Sequence, residues 1–257
     1  WVLHIPTGTT DIEQMPTVKQ HLAPFRAQLE QRTTPQKWFE SQPEHTEHAK
    51  LAMKPKIVCM HGAGRPKFSL DRSGAHVSAE GYVIPIEDYF LMGSLNSKLY
   101  RLLMLGTPEP GQEAGHVQIA QIESLPFPLP TVEQRGFIGQ NSEFCMKLSM
   151  ERKDFREYIC GEIQTNLGPK DKTMALSQQL DNWHMLDIIS FREAVRQHFG
   201  HDVPEDMVQA WEHFLDEGKY QLSRMNLDLE RAERQIDAEV YDMFCLTEEE
   251  VELMDKM

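Results

Sequence analysis

From Trp211 to Val240, apolar residues recur at combined three- and four-residue steps: Trp211, Leu215, Leu222, Met225, Leu229, Ala232, Ile236 and Val240, with Glu, Asp and Arg between them. A repeat of that period puts one apolar stripe on a long helix, and such a stripe must be covered by another helix. Phe137, Phe144, Leu148, Phe155, Ile159 and Ile163 recur at steps of four and seven and supply the partner. The spacing therefore predicts two long helices packed antiparallel through coiled-coil-like seams. Thr247-Glu248-Glu249-Glu250 opens a last short helix with the signature of a capping box. Between the long helices, Leu167–Ser177 is polar and reads as a mobile connection.

The first half of the chain has a different texture. Pro16 and Pro24 each sit where a helix can start, which predicts short helical pieces over Pro16–Ala23 and Pro24–Arg32. Trp1–Pro6, Ile57–Met60, Lys67–Leu70 and Tyr82–Ile86 read as strands, with Asp71-Arg72-Ser73-Gly74 as a turn. Asp88 is placed to cap an apolar helix over Tyr89–Leu105. A Gly-, Pro- and Glu-rich loop follows at Gly106–Gly115, and then a short segment, Val117–Leu125. Pro126-Phe127-Pro128-Leu129-Pro130 cannot continue a helix and marks the boundary. The expected fold is α+β: a β-rich domain over residues 1–130, then a long-helix, partly coiled-coil α module over 131–257. No internal repeat is visible.

The formal net charge is −14, yet it is unevenly spread. Residues 1–130 carry 12 Lys and Arg against 13 Asp and Glu, a net of −1, whereas residues 131–257 carry 14 against 27, a net of −13. Lys50–Arg72 holds six basic residues and one acid, Asp71. The four cysteines are scattered and have no zinc-knuckle spacing, which fits a reducing cytoplasm. No apolar run reaches the roughly 18 residues of a membrane span. The sequence begins at Trp1 inside an apparent strand, so a longer parent polypeptide is expected.

Several enzyme classes are disfavoured. His61-Gly62-Ala63-Gly64 is similar to a lipase oxyanion loop, but no Gly-x-Ser-x-Gly elbow accompanies it, and the glycines also fail the nucleotide-binding spacings. Glu44, His45, Glu47 and His48 lie in a polar stretch beside Pro43 without the order of a helical zinc motif, and no metal is expected.

A set of segments in fixed order carries a resemblance. Trp1–Pro6, Thr17–Arg32, Lys54-Pro55-Lys56-Ile57-Val58, Arg65-Pro66-Lys67-Phe68 and Tyr82-Val83-Ile84-Pro85 come first. Leu95-Asn96-Ser97-Lys98-Leu99, Ile122–Pro128 and the closing Val240–Phe244 with Leu246–Glu250 follow. Together they resemble the TaqI-like C-terminal specificity domain of adenine-N6 DNA methyltransferases and fused restriction–modification enzymes. The resemblance implies double-stranded DNA as partner. It also implies an N-terminal methyltransferase domain of the same polypeptide, using S-adenosylmethionine, outside this sequence. Within the 257 residues no cofactor and no catalytic residue are expected, because no Asn/Asp-Pro-Pro-Tyr/Phe motif occurs to hold an extruded base.

The basic segment is the expected contact surface. Lys54, Lys56, Arg65, Lys67 and Arg72 flank Gly62 and Gly64, whose small size would let backbone approach DNA; such cations hold phosphates or read guanine edges. Arg32, Lys37, Trp38, Lys98 and Arg101 are secondary candidates. For Lys98 and Arg101 a packed helix with snorkelling tips is the competing reading, and for Trp38, beside Phe39, core packing. The competing reading for the whole chain is a protein-interaction module whose acidic helices dock a partner domain. A salt-dependent DNA-binding measurement separates the two.

Overall fold

The computed structural model describes residues 3–9, 11–34, 36–41, 50–60, 66–77, 81–105, 119–169 and 174–256. The chain divides into two compact units, Trp1–Phe127 and Pro128–Met257. The architecture is mixed α and β, with the long helices in the second unit.

In the first unit Leu3–Pro6 joins no sheet. The strand expected there is replaced by a local clasp. Ile5 donates its amide to Ser41 Oγ at 3.1 Å and accepts from the Ser41 amide at 2.8 Å. Ile5, Ile12 and Phe39 form a small core with Met15, Val18, Leu22 and Trp38 against it. Helix α1 (Pro16–Leu22) runs through a 3-10 turn at Ala23–Phe25 into α2 (Arg26–Leu29). The second piece is thus shorter than its sequence suggests, with Pro24 inside the 3-10 turn.

Strands β1 (Lys56–Met60), β2 (Phe68–Asp71) and β3 (Gly81–Ile84) form an antiparallel sheet in the order β2-β1-β3. The register pairs Ile57 with Leu70 and Ile84, and Cys59 with Phe68 and Tyr82. Those partners share a face, and Ile57, Cys59, Phe68 and Leu70 are buried on it. β3 stops at Ile84, where Pro85 can donate nothing to a ladder. Asp71 Oδ1 accepts from the Ser73 amide at 2.9 Å and Gly74 takes a left-handed φ of 76°, which makes the expected turn after β2.

The helix expected over Tyr89–Leu105 is two helices, α3 (Tyr89–Asn96) and α4 (Lys98–Leu105). Asp88 caps the first, accepting from the Phe90 and Leu91 amides at 2.9 and 3.2 Å. Ser97 interrupts with an extended ψ of 158° and offers its hydroxyl to the Tyr100 amide at 3.4 Å, an N-cap for α4. Asn96 locks the break to the sheet, accepting from the Phe68 amide at 2.9 Å and donating to the Phe68 carbonyl at 2.8 Å. After α5 (Ile119–Glu123) the chain is held by Tyr100, whose hydroxyl donates to the Pro126 carbonyl at 2.8 Å and whose ring stacks on Phe127 at 4.6 Å.

The second unit is built on α6 (Val132–Leu167) and α9 (Val208–Met243), each of 36 residues. They run antiparallel, because Gln134 reaches Asp242 at 2.7 Å while Arg152 reaches Asn226 at 2.8 Å. Thr131 and Gln134 start α6 with a reciprocal capping box. The expected α9 seam is buried at Trp211, Leu215, Leu222, Leu229, Ala232, Ile236 and Val240. On α6 the expected stripe is only half right. Ile138, Ser142, Ile159 and Ile163 are buried, while Phe137 and Phe144 remain 39% and 45% exposed. Of the expected positions Leu148, Ile159 and Ile163 are buried, and in the first turns of α6 the buried positions are Ile138 and Ser142 instead of Phe137 and Phe144.

Between the long helices lie α7 (Gln178–Asp181), a 3-10 turn at Trp183–Met185 and α8 (Ile188–Phe199). Leu167 ends α6 buried; residues 170–173 of the connection expected to be mobile lie outside the described residues. Trp183 is fully buried against Gly218, where a Cβ would meet its ring at 2.8 Å. α10 (Glu248–Lys256) begins at the expected capping box, with Thr247 and Glu250 bonded in both directions at 2.8 and 3.4 Å.

Candidate nucleic-acid interface

The sheet has two unlike faces. Alternation places Val58, Ser69 and Val83 opposite the buried set; they are partners in register, Ser69 is exposed and Val83 is 37% exposed. Lys67 leads into β2 on the same side as Ser69 by the period of two. Lys67 and Lys54 are both exposed and make no ion pair among the described residues. They stand at opposite ends of the sheet, since Lys54 precedes β1 and Lys67 precedes the antiparallel β2.

Lys56 has to be removed from the expected contact set. It is 0% exposed, its ammonium donates to the Ala52 carbonyl at 2.7 Å, and it forms an ion pair with Asp71, its cross-strand partner. Burial pushes the Asp71 carboxyl up, but the Lys56 ammonium and the Ser73 donors outweigh it and hold it at about 2. A buried lysine needs such an anion, so Lys56 joins the sheet together and has no donor to offer DNA.

Arg72 is half exposed, yet it bonds Glu87 at 2.7 Å and lies 5.5 Å over the Tyr89 ring. The hydrogen bond to Glu87, opposed by desolvation, holds its proton more firmly still. Its charge is locally cancelled. Gly62, Gly64 and Arg65 lie outside the described residues, as do Glu44, His45, Glu47 and His48. Among the described residues no group of three His, Cys, Asp or Glu side chains is placed to hold a metal.

The secondary candidates are largely structural. Arg32 donates to the Leu29 carbonyl at 2.9 Å and the Trp38 carbonyl at 2.8 Å, which closes the end of α2. Lys37 reaches the Thr9 carbonyl at 3.0 Å and lies 5.7 Å from the Phe39 ring centroid. Trp38 packs on the Ile5–Ile12–Phe39 core with the Arg26 guanidinium 5.1 Å over its ring. Lys98 and Arg101 are half-buried on α4, as snorkelling side chains would be. Sequence reading passed over Val58, Ser69 and Val83, although the alternation at Lys67–Leu70 already assigned Ser69 to the open face.

Among the described residues, no helix is long and apolar enough to cross a membrane.

Residues 131–240 match the model of a family described as a domain of unknown function, DUF8810. That span holds α6 through most of α9. No curated protein and no solved structure matches the chain.

Proposed function

We propose that the first unit is a sequence-specific reader of double-stranded DNA, and that the chain is the target-recognition part of a site-specific adenine-N6 DNA methyltransferase or restriction–modification polypeptide. The observation that carries this reading is the open patch of Val58, Ser69 and Val83 on one sheet face, flanked by Lys54 and Lys67, which make no ion pair among the described residues, in the half of the chain that lacks the acidic excess. β1 between those ends holds 5 residues, roughly 17 Å of sheet at about 3.4 Å per residue. That suits phosphate contacts on both sides of a major groove about 12 Å wide. The ordered motifs support it too, because Asn96, Tyr100, Pro126 and Phe127 are the pins that hold the sheet, α3 and α4 in shape. In this reading methyl transfer and its cofactor belong to another domain of the parent polypeptide.

The test is selection of duplexes from a random pool by the 257-residue chain, followed by affinity for the selected and scrambled duplexes across a salt series. A defined sequence should be enriched. The Lys54→Ala/Lys67→Ala variant should bind both duplexes more weakly and flatten the log–log salt slope by about two units, near 0.9 per phosphate contact. No enrichment, or unchanged affinity in that variant at every salt, overturns the reading. A second reading, a module that docks a basic protein partner, is favoured by the half-exposed Phe137, Phe144 and Tyr158 along α6. It predicts no duplex binding at all.

A further inference from the structure

Within the acidic second unit, one face of α6 over about three turns gathers cations. Ser149, Arg152, Lys153, Arg156, Glu157 and Cys160 share a face of α6 at steps of three and four, and α7 closes the far side with Asp181. They line a shallow recess of about 240 Å³. Water takes about 30 Å³ per molecule, so there is room for a tetrahedral ion with part of its hydration.

The donors are poorly used. Arg156 donates only long bonds, 3.4 Å to the Asp181 carbonyl and 3.3 Å to Asn182 Oδ1, and its Nε is buried without a partner among the described residues. A guanidinium has five N–H groups, and a buried one left unmade is costly. Arg152 spends one nitrogen on Asn226 at 2.8 Å. The two acids on the rim are engaged: Glu157 faces Lys153 at 3.6 Å, and Asp181 Oδ1 accepts the Cys160 thiol at 3.7 Å. Burial first, and then the Asp181 charge, push that thiol up to about 11, so it stays a protonated donor.

We propose that this recess is an oxyanion site for a phosphate group, held by Arg152 and Arg156 with Lys153 and Ser149 at the rim. The site does not depend on the DNA reading of the first unit. Titrate the whole chain with inorganic phosphate, and with chloride at matched ionic strength, following backbone amide shifts of residues 149–160. Phosphate should give saturable shifts that chloride does not. Arg156→Gln should weaken the site at least tenfold and Arg152→Gln several-fold, as expected for charge-assisted hydrogen bonds. Thermal melts of both variants report their folding; Arg152 holds a single exposed bond to Asn226, so its variant keeps the test valid if Arg156→Gln unfolds. Adenosine monophosphate and a short random duplex then separate the sources. A phosphate monoester as ligand leaves duplex affinity unchanged in Arg152→Gln, and a backbone phosphodiester lowers it. Identical shifts in phosphate and chloride, or wild-type titrations in the folded variants, overturn the proposal.

Discussion

Replacing Lys56 by methionine separates a phosphate contact from an internal ion pair. The substitution keeps the volume of the stem and deletes the ammonium that holds Asp71 and the Ala52 carbonyl. It leaves Asp71 Oδ2 and the Ala52 carbonyl without their donor, while Ser73 still serves Oδ1, and breaking a buried pair from one side costs about 3–5 kcal/mol. Against a total stability of about 5–15 kcal/mol, that opens β1 and β2 measurably. The pH dependence follows the same pair. Asp71 sits at about 2 in the fold against about 3.9 in an unfolded chain. Its folded value is depressed, so its stabilisation is present above about pH 4 and is lost as pH falls toward 2. The shift corresponds to about 2–3 kcal/mol. Hydrogen exchange of the β1 amides reads this unit without interference from the second. Protection should fall by at least a hundredfold in Lys56→Met at pH 7. Across pH 4 to 2 the wild type should lose protection relative to its intrinsic exchange rate, and a Lys56→Met/Asp71→Leu pair should not. Equal β1 protection in wild type and Lys56→Met, with duplex affinity reduced instead, would refute the burial argument and return Lys56 to the contact set.

Three further outcomes follow from packing. Gly218→Ala drives a Cβ to 2.8 Å from the Trp183 ring; overpacking of that kind costs about 1–3 kcal/mol, so calorimetry should show a lower Tm, while Gly161→Ala, with nothing within 4 Å, should keep or raise it. Leu229→Asp puts a charge into the buried seam and should cost several kcal/mol, whereas Leu227→Asp on the exposed side of the same helix should leave the melt unchanged. Asn96→Ala removes both bonds to Phe68, about 1–3 kcal/mol for the unsatisfied groups, and should raise β2 amide exchange without moving the melt of the second unit.

What was legible in the sequence is what neighbours decide. Asp88 and Thr247 announce their helices because a cap bonds amides two or three residues away; Thr131 does the same for α6 and was not read. Pro85 ends β3 short of the Ile86 end expected from the apolar run. Asp187 and Gly200 bracket α8 with the same local chemistry, and that helix was there to be read and was not. The break at Ser97 was hidden by the apolar density on both sides, although an Asn-Ser pair is itself a cap signal. Other features are settled at a distance. Lys54 and Lys56 look alike in sequence; Asp71, fifteen residues on, buries one of them. Phe137 and Phe144 continue a stripe as regular as Ile138 and Ser142 do, and only the surface of α9 decides which of the two is covered.

These placements change how the candidate interface works. The six cations of Lys50–Arg72 suggest a strongly basic patch. Lys56 is cancelled by Asp71 and Arg72 by Glu87, and Arg65 lies outside the described residues. Among the described residues of the primary contact set, Lys54 and Lys67 are then the charges without an ion pair. Two phosphate contacts give a salt slope near two at about 0.9 each, which is shallow for a DNA-binding surface. On the DNA reading proposed above, affinity on this face would come chiefly from contacts that do not scale with salt, namely base edges met by Ser69 and the backbone, and apolar contact with Val58 and Val83. Such a surface would discriminate between sequences more than it attracts DNA in general, the behaviour expected of a reader whose grip on the duplex is supplied by another domain.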